Sequence, residues 1–169
     1  MEQDSYKISN FLDLKFPRIS GETDIGELQE LGVLYHGTPM RNVPRILKRG
    51  LLTKYSTRGY LCLTHDLNRA IYFTNFVQDL FGVNAFGVFC IGKNELPVEI
   101  KTKLEADPLF PEGLITFRNI PKKYIQKIIL ANQGVRKHSF ENILRNASEL
   151  GKTVQVIEYD LGNNKFNFR

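Results

Sequence analysis

A chain of 169 residues, 42% hydrophobic and 24% charged, can bury a core without staples, which excludes a disulfide scaffold and a disordered polar chain. No apolar run approaches the roughly 20 residues that cross a bilayer, so no membrane partner is expected. The net charge of +5 is uneven: residues 1–30 hold three Lys/Arg against seven Asp/Glu, residues 31–117 ten against seven, and residues 118–169 ten against four.

Residues 1–30, with Pro17, Ser20 and Gly21, read as a leader that packs on the domain or stays loose, and residues 31–169 as a single domain. The acidic, polar opening MEQDSYK is unlike a secretory signal. Cys62 and Cys90 fall in apolar, strand-like runs, so reduced thiols and a cytoplasmic protein are expected. With His36, His65 and His138 scattered, no metal-ligand spacing occurs, and no metal is expected.

IGELQELG at 25–32 reads as a short helix. VLYHGT at 33–38 reads as a buried strand, placing His36 where that strand stops. Pro39 opens the next element, and Val43, Ile46, Leu47 and Leu51 recur at helical spacing over 40–49 before Gly50 ends it. KYSTRG at 54–59 is a polar loop and YLCLT at 60–64 a strand. Asp66 is placed to cap a helix over 67–81, and AFGVFCI at 85–91 is rich in the aromatic and branched residues strands favour. Residues 92–111, with Pro97, Pro108 and Pro111, have poor periodicity and read as a strand end plus a long loop of the kind that tends to be functional. Strands follow at 112–120, 124–130 and 153–161, with an amphipathic helix at 139–150 and a last pairing segment at 164–168. Strands concentrated late in the chain make this an α+β pattern.

GxxxxGK[ST] and GxGxxG are both absent, which argues against a P-loop nucleotide site and a Rossmann dinucleotide site. The basic second half suits a polyanion such as nucleic acid, or is simply a solvated basic face.

Three pieces then align: YHGT followed by a helix and GL, YLCLT followed by a helix carrying Ala70 and Tyr72, and a carboxylate opening EGLITFRNIPKKYIQKIIL. Together, over roughly residues 33–130, they resemble the ADP-ribosyltransferase superfamily of the H-Y-E type. In pattern they are nearest to its DNA-modifying toxins and to the RNA 2'-phosphotransferases. The resemblance implies two packed, mainly antiparallel sheets forming a split-sheet NAD cleft with flanking helices. It implies NAD as co-substrate, release of nicotinamide, and transfer of ADP-ribose to a nucleic-acid or protein acceptor. The alternatives are an NAD glycohydrolase, an RNA 2'-phosphotransferase-like enzyme, or an inactive NAD- or nucleotide-binding module.

The transition state of such a reaction is an oxocarbenium-like sugar, which needs a held ribose, a held leaving group and a nearby negative charge. The resemblance gives the ribose to His36, the carboxamide to the backbone of Gly37 with Thr38 supporting that loop, and ring stacking to Tyr72 or Tyr60. The family's tyrosine position falls on Cys62. Arg58, with Lys54, is expected to neutralise the pyrophosphate. Glu112 is expected to share a cleft with His36 as the catalytic carboxylate, with Glu105 and Glu99 as substitutes. The loop before Glu112, with Phe110, faces the acceptor.

Overall fold

The computed structural model describes residues 18–19, 29–67, 69–71, 74, 86–110, 112–132, 142–143, 145–146 and 151–158. Eight strands form one hydrogen-bonded sheet in the order β1-β8-β7-β4-β2-β3-β6-β5, where β1 is Arg18–Ile19, β2 Val33–Pro39, β3 Leu61–Thr64, β4 Phe86–Gly92, β5 Glu105–Ala106, β6 Gly113–Thr116, β7 Ile125–Asn132 and β8 Thr153–Glu158. The six from β5 to β7 are antiparallel to their neighbours, while β8 runs parallel to β7 and β1 parallel to β8. The class is mixed α+β. The sequence led us to expect two sheets. Hydrogen bonding instead runs through all eight strands, because β2 and β3 still meet at one pair, Tyr35 with Thr64.

That joint contrasts with its neighbours. On its other edge β2 pairs with β4 along its whole length, from Val33–Gly92 to Pro39–Phe86, and β3 pairs with β6 along its whole length, from Leu61–Thr116 to Thr64–Gly113. The sheet is therefore two well-zipped halves joined at a waist.

Both faces of the centre are covered, which explains why every residue of β4 is buried. Phe89 and Ile91 join Leu34, Ile128 and Leu130 under the helix Val43–Arg49, which lays Val43, Ile46 and Leu47 on them. Phe86, Val88 and Cys90 join Val33, Tyr35 and Ile129 under Leu67, Ala70 and Ile71 of a second helix. A seven-residue helix is too short to persist by propensity alone. Burying its apolar side chains contributes about 1.5–3 kcal/mol each. Gly50, at φ +81°, ends it, with its N–H on the Ile46 carbonyl at 2.7 Å.

Most expected elements appear, with corrections. Residues 40–42 are a 3-10 turn before the helix proper. Residues 29–32 are not helical, so the expected helix over 25–32 does not reach its end. The 92–111 stretch is more ordered than a loop, with a 3-10 turn at Lys93–Glu95, a one-turn helix at Val98–Lys101 and β5. The strand expected over 112–120 is only β6, because Asn119 leaves the ladder to accept from Thr53 N at 2.9 Å and Ile120 bridges Leu51. β1 was not foreseen, and it ties residues 18–19 of the expected leader to the sheet. The segment 164–168, Tyr72 and the C-terminal part of the helix expected over 67–81 lie outside the described residues. Among the described residues, no helix is long and apolar enough to cross a membrane.

Candidate functional site

Were the β2–β3 ladder to continue past Tyr35–Thr64, Gly37 would face Cys62. It does not, because the Cys62 carbonyl accepts from His36 Nδ1 at 2.8 Å. A side chain takes the place of the next backbone donor, and the strands part around it. Beyond the joint, alternate residues of β2 turn their N–H and C=O away from β4 and into the opening.

His36 thus sits in mid-strand rather than at a strand end, yet at the end of its pairing with β3. A carbonyl can only accept, so Nδ1 carries the proton and Nε2 is left as an acceptor. Burial lowers the pKa of His36 below its ordinary value, with the Cys62 hydrogen bond opposing, so the ring is neutral near pH 7. The stability consequence has a definite sign. Between the lowered folded value and the ordinary ~6.5, the unfolded chain binds more protons than the folded one, so stability falls as pH drops through that window. Urea unfolding from pH 8 to 5 should therefore show a loss below about pH 6.5 that a His36→Gln variant lacks. Equal slopes for the two proteins would refute the neutral imidazole.

An inner cavity of about 110 Å³ lies at the parting, lined by Tyr35, His36 and Gly37 of β2, Cys62 and Thr64 of β3, Arg69 and Ala70 of the second helix, and Asp107, Phe110 and Gly113. An open outer concavity of about 770 Å³ is lined by Gln29, His65, Asp66, Ala106, Glu112, Gly113 and Leu114. The two adjoin at Gly113. The inner one is on the scale of a single aromatic ring and well below the ~300–1,000 Å³ of pockets that enclose a drug-sized ligand.

His36 and Glu112 therefore line different concavities, not the one cleft expected of them. Glu112 precedes β6 rather than opening it, and its side chain is 67% exposed. Its backbone is left-handed, with φ +66°, the only such non-glycine among the described residues. That turn lays its carboxylate on Arg69 Nε at 2.9 Å. Arg69 lines the inner cavity, so the ion pair sits on the border between the two spaces. Glu99 and Glu105 are exposed and line neither concavity.

The other expected residues divide. Gly37 and Cys62 line the inner cavity. The space a Gly37 side chain would need is filled by the second helix, where an added Cβ would fall on Thr74 Oγ1 and the Ala70 carbonyl. This glycine admits a helix; the approach of a ligand is not what its missing side chain serves on that face. Thr38 is buried away from both concavities and accepts from Asn42 Nδ2 at 3.1 Å, which braces the turn after β2. Tyr60 is also off the cavity, edge-on to Phe117 with centroids 5.6 Å apart. Arg58 donates to the Tyr60 hydroxyl at 3.4 Å and is fully exposed, so Arg69 is the cation at the cavity wall. Lys54 lies over the Tyr55 ring at 5.1 Å. Cys62 is a neutral thiol: burial, then the charge of Asp107, pushes it up to about 11. At the position where the resemblance expects a tyrosine there is thus no ring, but Phe110, 36% exposed, brings one to the same cavity.

Asp107 is the residue that sequence reasoning missed. It is the buried carboxylate among the described residues, 9% exposed. Its only sequence signal was its place in EADPLFP, where Asp before a Pro-containing turn favours side-chain-to-backbone bonding. No protein-family model matches this chain, and no curated protein matches it either.

Proposed function

We propose that this protein transfers ADP-ribose from NAD to a macromolecular acceptor and releases nicotinamide. The observation that carries the reading is the sheet opened at His36, with a neutral imidazole fixed through Nδ1 and its Nε2 available as an acceptor for a ribose hydroxyl. NAD is too large for the inner cavity alone, so its nicotinamide ring takes that cavity, against Phe110, and the attached ribose crosses Gly113 toward Glu112. There the carboxylate receives the ribose 2'-hydroxyl and offsets the charge that develops as the glycosidic bond breaks. It also stands at the outer concavity, where an incoming nucleophile would lose its proton. Arg69 exchanges its carboxylate partner for the pyrophosphate.

Nucleic acid is the acceptor the surface favours. Residues 31–65 contain six Lys/Arg and residues 113–132 four, and neither segment contains an Asp or Glu. The two meet at the Leu51–Ile120 bridge, and around the exposed ring of Tyr55 Arg49 donates to the hydroxyl at 3.1 Å while Arg45 and Lys54 lie over the face at 3.9 and 5.1 Å. Cations interleaved with exposed rings suit phosphates and unstacked bases.

Incubation with NAD labelled in the adenylate half tests this. Label should move to single-stranded RNA or DNA, in a yield that falls steeply with salt. Nicotinamide released with no labelled acceptor would replace transfer by hydrolysis. NAD bound without turnover would favour the non-catalytic reading, for which Cys62 at the tyrosine position already speaks.

A further inference from the structure

We infer that Asp107 is a positioning residue whose carboxylate ties together the turn that joins β5 to β6, and so fixes where Phe110 meets the inner cavity and where Glu112 meets the outer one. The turn is closed on itself by backbone bonds, Asp107 N to Gly113 O at 2.9 Å and Gly113 N to Phe110 O at 3.1 Å. Inside it, Asp107 Oδ1 accepts from Leu109 N at 2.8 Å and Phe110 N at 3.3 Å. Cys62, on β3, lines the same cavity as Asp107, whose negative charge helps to push the thiol up to about 11.

A charge this buried is costly unless donors surround it. Here they are two amides of the turn itself. The packing leaves the turn little slack. A Cβ added at Gly113 would come within 3.0 Å of Asp107 Cβ and 3.1 Å of the Phe110 carbonyl. Glu112 is then delivered in a left-handed conformation, which the closed turn must hold. The two carboxylates thus have separate tasks: Asp107 spends its lone pairs on the scaffold, and Glu112, in an exposed pair with Arg69, is presented to a ligand. Its value for turnover rests on the transferase reading; the tie itself does not.

The test compares the full chain with Asp107→Asn and Asp107→Ala, by hydrogen exchange of the Leu109 and Phe110 amides, the pH profile of Cys62 alkylation mapped by peptide, and kcat and KM for nicotinamide release. Asp107→Ala should speed exchange at both amides. Asp107→Asn keeps an acceptor for them and should leave exchange and melting near wild type. It also removes the negative charge beside the thiol, and so should move Cys62 alkylation to lower pH, with buried Cys90 as the unmoved internal control. Turnover should fall about 100-fold in the Ala variant, the scale of a misplaced catalytic group, mainly in kcat, and recover in part in the Asn variant. Unchanged exchange in Asp107→Ala, an unmoved Cys62 profile in Asp107→Asn, or wild-type kcat in both variants would overturn the assignment. A wild-type protein that releases no nicotinamide would remove the transferase reading alone, since exchange and alkylation decide the tie without it.

Discussion

Glu112→Gln should lower nicotinamide release from NAD by about 10²–10³-fold, the scale on which a single group aimed at developing charge contributes. Stability should barely change. The Arg69–Glu112 pair is exposed, and such pairs contribute about 0.2–1 kcal/mol. A loss of that size moves Tm by about 4 °C at most in a chain of this length. Glutamine keeps the side-chain length and adds no strain to the left-handed backbone at this position, so charge is the variable under test. His36→Ala should behave differently, weakening NAD binding, because it removes the acceptor at Nε2 and the bond that holds the strands apart. Full turnover in Glu112→Gln, measured on protein whose melting is unchanged, would remove this carboxylate from the chemistry.

Gly37→Ala should be the most destabilising of the single changes considered. The added methyl falls on the Thr74 hydroxyl and on the Ala70 carbonyl, one a side chain that can turn and the other helix backbone that cannot. The second helix must then lift from β2 or the strand must bend. Either disturbs the layer containing Tyr35, Leu67, Ile71 and Val88. Overpacking of a core costs about 1–3 kcal/mol and sometimes more, and a backbone collision belongs at the upper end. A fall in Tm of about 6–12 °C follows. Gly59→Ala is the comparison: its φ of +76° carries the left-handed cost, but nothing lies within 4 Å of the added Cβ. It should lose only about 1–2 kcal/mol. A Gly37→Ala protein that melts like wild type would mean that the helix does not rest on this residue.

These two residues mark the limit of sequence reading. Gly37 stood out because a glycine after a histidine at the end of an apolar run needs a reason, and ligand approach was the reason supplied. The actual neighbour is a helix more than thirty residues along the chain, which no local pattern names. Glu112 stood out as a charge at the edge of an apolar strand. Its exposure and its partner Arg69 depend on a backbone angle that a sequence does not display. Asp107 passed unnoticed because its donors are two backbone amides, which no spacing of side chains marks.

By itself the sequence determined the central strands and the helix after β2, because a strand buried on both faces must be apolar throughout and an amphipathic helix must repeat its apolar residues. It also determined the mixed α+β class and the collection of positive charge in segments without a carboxylate. Only the tertiary structure decided that β2 and β3 part after a single pair, that His36 fills the gap, and that His36 and Glu112 open onto neighbouring spaces. The physical reason is that a strand's pattern records which faces are buried, whereas where a ladder stops depends on which donor reaches a given carbonyl first. At Cys62 that donor is an imidazole, twenty-six residues away in the chain.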